Sequence, residues 1–190
     1  MKQTTVKNLM IPLKEYATVS HQATLKSAIL ELEKAQAEFC RINQERYKHR
    51  ALLVYHEKHG HIIGKLSQLD VLKSLEPKYN EIAETGPMGR IATSGLNLKF
   101  LQSMLEDHAL LTQSLDDMCK KAANLKVTDC MYIPTQGEFI KETDSMRMAI
   151  HQLMLGQHHS LLVLNDQDDI SGILRLTDVF QAVCDKIKAI

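Results

Sequence analysis

Gly64-Lys-Leu-Ser-Gln-Leu-Asp70 has the pattern of a β-strand that runs directly into a helix. Gly172-Ile-Leu-Arg-Leu-Thr-Asp178 repeats it, with the glycine and the aspartate at the same spacing and Arg175 standing where the first version has Ser67. A junction written twice makes internal repetition the first thing to test.

Working outward from the junction, HRALLVY at 49–55 aligns with HHSLLVL at 158–164, an offset of 109 against 108 for the Gly and Asp. Further upstream, Val6-Lys-Asn-Leu-Met10 aligns with Val127-Thr-Asp-Cys-Met131, Val19 with Ile140, and Ala28-Ile29 with Ala149-Ile150, all at an offset of 121. The drop in offset places about twelve extra residues in the first copy, within the charged, helix-prone stretch EKAQAEFCRINQERYK.

Each copy has the same local pattern. A Val-x-x-x-Met turn precedes a short strand, Thr18-Val19-Ser20 or Glu138-Phe139-Ile140. An amphipathic helix follows, with Leu25, Ala28, Ile29 and Leu32, or Met146, Ala149, Ile150 and Leu153, on one face. Two strands across a polar turn come next, ALLVY with HIIGKL and SLLVL with DISGIL. The final helix starts at the junction, with Val71, Leu72 and Leu75, or Val179, Phe180 and Val183, expected inward. The reading is an α/β (α+β) fold of two β-α-β-β-α copies, residues 1–75 and 126–190, packed as one pseudo-twofold unit with the sheets facing each other. Between them, 76–125 forms a helical segment: Gly86, Pro87, Gly89 and Gly95 break the chain, one helix carries Leu101, Met104 and Leu105, and another starts at Ser114 with Asp117 as its capping partner and carries Leu115, Met118, Cys119, Ala122 and Leu125. Covering the repeats' own core is the favoured role for these stripes, ahead of a dedicated interaction surface.

Composition sets limits on function. The chain has 190 residues and 44% hydrophobic content, enough for a core. Lys+Arg 23 against Asp+Glu 23 gives no broad basic field for nucleic acid. Cys40, Cys119, Cys130 and Cys184 include no CxxC pair and are expected to be reduced thiols. The first sixteen residues lack the apolar run of a signal peptide, and runs such as LLVL at 161–164 are far too short to span a bilayer, so no membrane segment and a cytoplasmic location are expected.

At the repeated junction a hydroxyl ends the strand and a carboxylate sits in the first helical turn. Unpaired N–H groups at a helix start suit a phosphate, and a carboxylate accepts two hydrogen bonds from a ribose diol. The plain alternative is a cap, with Ser67 or Thr177 at the helix start and Asp70 or Asp178 easing its dipole. Keeping both aspartates in register favours the ligand reading.

With these features in place, the β-α-β-β-α repeat, the Val-x-x-x-Met lead-in, the HR or HH pair and the G-x-x-S-x-x-D exit resemble a tandem pair of cystathionine-β-synthase (CBS) domains, a Bateman module. The resemblance covers about residues 4–75 and 126–188 and leaves out the middle segment. It implies a non-catalytic regulatory module whose clefts bind adenosine-containing ligands: AMP, ADP, ATP or S-adenosylmethionine. By it, Asp70 and Asp178 would hold ribose hydroxyls and Ser67 a phosphate. His49, Arg50, His158 and His159 would face the phosphates, and Thr5, Met10, Lys126 and Met131 would lie near the base. It further implies a homodimer, with Leu98, Leu101, Leu105, Leu115 and Met118 as added apolar surface, and a separate protein effector.

Two features depart from the family pattern: Arg175 replaces the usual Ser/Thr, and the usual Pro is missing from ALLV and SLLV. Arg175 either contacts a polyphosphate or pairs with Asp178 and closes an empty cleft; its reach and charge favour the first. The other reading of the whole chain is a ligand-free interaction module working through the inter-repeat helices. His56, His59 and His61 fall in a hairpin turn and are read as solvated, with no metal expected. GPMG at 86–89 lacks phosphate-loop spacing, and no hydrolase triad, HExxH or kinase signature appears.

Overall fold

The computed structural model describes residues 4–42, 49–78, 106 and 112–190, with the side chains of 39–42 excepted. Expected features at Gly86 to Gly95, Leu98, Leu101, Met104 and Leu105, and the Cys40 thiol, lie outside the described residues.

The first copy consists of β1 (Ile11–Pro12), β2 (Thr18–Ser20), α1 (Leu25–Ile42), β3 (Ala51–Tyr55), β4 (Ile62–Ser67) and α2 (Gln68–Lys73). Next come α3 (Leu115–Ala122) and the single turn α4 (Val127–Cys130). The second copy follows as β5 (Phe139–Lys141), α5 (Met146–Gly156), β6 (Ser160–Leu164), β7 (Ile170–Arg175) and α6 (Leu176–Lys188). The added length of the first copy shows in α1, which has 18 residues against 11 in α5. Glu138, expected in a strand, ends a 3-10 turn instead, and β5 begins one residue later.

The two copies use one topology. In each, the short strand pairs parallel with the next, Val19 opposite Val54 and Ile140 opposite Val163. The following hairpin is antiparallel, with Val54 opposite Gly64 and Val163 opposite Gly172. Period-two alternation then divides the apolar runs between two layers. Leu52 and Val54 pack under α1 with Leu25 and Ala28, while Leu161 and Val163 pack under α5 with Ala149 and Leu153. The residues between them, Leu53 and Leu162, face the other way and share a buried cluster with Ile11, Tyr16 and Ile173. Both copies therefore contribute to one interior between their sheets.

The lead-in segments cross over. β1 belongs to the first copy in sequence but pairs with β7, Ile11 opposite Ile173, and Val6 is buried in the core of the second copy. In the opposite direction Lys65 and Tyr132 exchange backbone hydrogen bonds (2.9 and 2.8 Å), and Ala122 and Val127 are buried in the core of the first.

Several residues expected inward are not. Ile29, Leu72 and Phe180 are exposed, because each lies at the margin of a stripe already filled by neighbours such as Ala28, Val71 and Val179. α3 begins at Ser114, whose hydroxyl accepts from Asp117 N–H at 3.2 Å, but only Ala122 and, just beyond the helix, Leu125 reach the core. Leu115 is 63% exposed. No helix among the described residues is long and apolar enough to cross a membrane.

Candidate functional site

The two junctions differ in what their aspartates do. At the first, Ser67 caps α2. Its N–H and hydroxyl donate to Asp70 Oδ2 at 2.8 and 2.6 Å, and Asp70 N–H donates back to Ser67 Oγ at 3.3 Å. This reciprocal cap is the plain alternative raised by the sequence. It takes up only one carboxylate oxygen: among the described residues Oδ1 accepts no hydrogen bond.

Asp70 lines a cleft of about 440 Å³, together with Lys73 and Ser74 from its own side and Asp129, Met131 and Tyr132 from the second lead-in. The crossover explains this pairing, since it brings Met131 to Asp70. It also gives Gly64 its purpose: a β-carbon there would lie 2.6 Å from the Met131 sulfur and 3.1 Å from the Tyr132 carbonyl oxygen. Gly172 meets Met10 and the Ile11 carbonyl in the same way.

Behind the cleft wall lies a group that the sequence pattern did not single out. Glu138 is buried and accepts from the Tyr132 hydroxyl (2.6 Å), the Lys65 ammonium (2.9 Å) and Thr135 N–H (3.2 Å). Burial disfavours its charge, but the donors from Tyr132, Lys65 and Thr135 outweigh burial and hold the carboxyl below its usual range. Tyr132 is thus tied both to the cleft and to a buried ion pair between the copies. A lysine in a strand and a glutamate in a turn carry no local signal of pairing, because they meet only through the crossover.

At the second junction Arg175 takes the helix-start position and makes no side-chain cap, and Thr177 lies within α6 rather than capping it. The Arg175 Nε and a terminal guanidinium nitrogen donate to Asp178 Oδ2 and Oδ1 at 2.6 and 2.7 Å, which uses both carboxylate oxygens. Both side chains are 6% exposed. Of the two arrangements open to Arg175, the structure contains the pairing, with the Asp178 side chain buried.

His49 from the first copy reaches this second junction. It is 1% exposed, with its ring edge-on to Tyr16 at 4.4 Å between centroids. Burial first, then the Arg175 charge, pushes the imidazole down to about 4, with Asp178 opposing. Burial likewise pushes the Tyr16 phenol up to about 12.

The remaining candidates are dispersed. Arg50 and His159 have exposed side chains, and their carbonyls accept from Gln68 N–H and Leu176 N–H at the starts of α2 and α6. His158 is half-buried against Gly156. Thr5 donates to Asn8 Oδ1 through its N–H and hydroxyl (3.0 and 2.9 Å), and Met10 packs on the core of the second copy. Lys126 is exposed at the start of α4. His56 stacks on His21 at 4.2 Å with His59 and His61 nearby, yet no group of His, Cys, Asp or Glu among the described residues is arranged to hold a metal. Cys119, Cys130 and Cys184 are free thiols.

Residues 132–185 match the sequence profile of the family described as the CBS domain. Among curated proteins, no sequence matches the chain. Solved structures share the fold over nearly the whole length. A CBS domain-containing protein of unknown function from Bacillus anthracis superposes with a TM-score of 0.61 at 18% identity, covering 97% of this chain and 95% of that one. The CBS domain of a bacterial CNNM/CorC family Mg2+ transporter in complex with ATP gives 0.57 at 16% identity, covering 95% and 87%. CBSX2 in complex with AMP gives 0.52 at 16% identity, covering 97% and 98%. Residues 132–185 therefore carry a CBS domain, and the chain as a whole has the fold of a CBS pair.

Proposed function

We propose that the protein is a non-catalytic regulatory module that binds an adenosine-containing ligand in the Asp70 cleft and passes its occupancy to a separate protein. One observation carries this reading. Asp70 is fixed by Ser67 through Oδ2, while Oδ1 accepts no hydrogen bond among the described residues, and the residue lines a cleft of about 440 Å³ built from both copies. A carboxylate anchored on one side and available on the other suits a ribose diol. That CBS-fold proteins have been solved with AMP and with ATP supports the class of ligand. The reading includes AMP, ADP, ATP and S-adenosylmethionine as ligands, no required cofactor and a cytoplasmic setting.

The same reading includes a homodimer. Leu69 and Leu72 on α2 and Phe180 and Ile187 on α6 leave large apolar side chains exposed on the outer helices, and a second copy would repeat the patch as an isologous contact. Light scattering tests it: a dimer mass is expected, and a monomer mass at every concentration would overturn it.

The ligand reading is tested by melting the protein with and without AMP, ATP and S-adenosylmethionine at millimolar concentration. At least one should raise the melting temperature, because a ligand selective for the native state stabilises it by mass action. No shift with any of the three would favour the ligand-free interaction module.

A further inference from the structure

Ser67 and Arg175 occupy equivalent positions on nearly the same backbone, φ −94° and ψ 168° against φ −92° and ψ 143°. The first sends a short hydroxyl to one oxygen of its aspartate. The second sends a guanidinium to both oxygens of its own, in a bidentate pair with side chains 6% exposed. Tyr16 and His49, both buried, lie beside this pair, and their titration responds to both of its charges. The carboxylate that a ribose would need is therefore taken on both faces.

We infer that Arg175 is the residue that determines ligand stoichiometry: it fills the second site from within, so that the CBS pair binds one adenosine ligand per chain, at Asp70. This rests on the Asp70 cleft being a nucleotide site. A charged fork against a carboxylate is a strong, geometrically specific contact, and a neutral sugar hydroxyl competes poorly with it. Serine at 175 would restore the arrangement of the first copy, with one oxygen capped and the other available, and the extended backbone there already suits a capping serine.

The experiment is calorimetric titration with AMP of the wild type, Asp70→Ala, Arg175→Ser and the double variant. Circular dichroism and a cooperative melt verify that each is folded. Expected are one site in the wild type, none in Asp70→Ala, two in Arg175→Ser and one in the double variant. Two sites in the wild type would overturn the inference and leave the Asp70 reading standing. One site in both wild type and Arg175→Ser would also overturn it, since removing the guanidinium would then open nothing. No binding to the wild type but one site in Arg175→Ser would uphold the role of Arg175 while the Asp70 reading fails. No binding to any of the four would overturn both. If Arg175→Ser does not fold, Arg175→Thr supplies the same hydroxyl, and the wild-type stoichiometry alone still decides against the inference if it is two.

Discussion

Met131 rests on Gly64, its sulfur 2.6 Å from where a β-carbon would stand. The contact joins the lead-in of one copy to the second hairpin strand of the other, and Met10 with Gly172 repeats it in the opposite direction. The two residue types that mark each repeat are thus partners across the copies, not within them.

Gly64→Ala should therefore destabilise by about 1–3 kcal/mol, the usual range for overpacking a filled interior. Gly172→Ala should cost more, because its methyl would meet the Ile11 carbonyl, which is backbone paired to β7, whereas a methionine side chain can shift. Urea unfolding of both variants checks the order. Equal midpoints to wild type for Gly172→Ala would contradict the crossed packing.

The Lys65–Glu138 pair is 14% and 3% exposed at 2.9 Å. Glu138→Ala leaves a buried ammonium beside Tyr132 and should cost about 3–5 kcal/mol, while the double variant Lys65→Met with Glu138→Gln should recover much of that loss. The comparison is made by denaturant titration, and additive losses in the double variant would count against a coupled pair.

His49 gives stability a defined pH dependence. Its folded value is lowered to about 4 from an ordinary value of 6.5, so the native state favours the neutral ring. The stabilisation is fully present above pH 6.5, where both states are neutral, and is lost as pH falls from 6.5 to about 4, where the unfolded chain binds the proton first. The loss is on the order of 3 kcal/mol at about 1.4 kcal/mol per pH unit. His49→Gln should flatten this slope in melts recorded between pH 4 and 7. An unchanged slope would mean that another group sets it.

The layers were legible in the sequence because the continuous apolar runs ALLV and SLLV and the spacing of Leu25, Ala28 and Leu32 report burial locally. The duplicated Gly and Asp likewise marked two strand-to-helix junctions. What it did not disclose depends on pairing between distant segments. The exchange of lead-ins brings Met131 rather than Met10 to Asp70, and His49 meets Arg175 from the other copy. The Glu138 group has the same origin. Arg175 could be read two ways because the motif does not encode how deeply it and Asp178 are buried together.

The most direct test of a nucleotide site at Asp70 is titration of AMP into the wild type and Asp70→Ala, with unliganded melting temperatures measured alongside. Saturable binding to the wild type is expected, with a loss of roughly a hundredfold or more in the variant, the equivalent of about 3 kcal/mol for hydrogen bonds to a charged acceptor. Equal affinity in both proteins would contradict it.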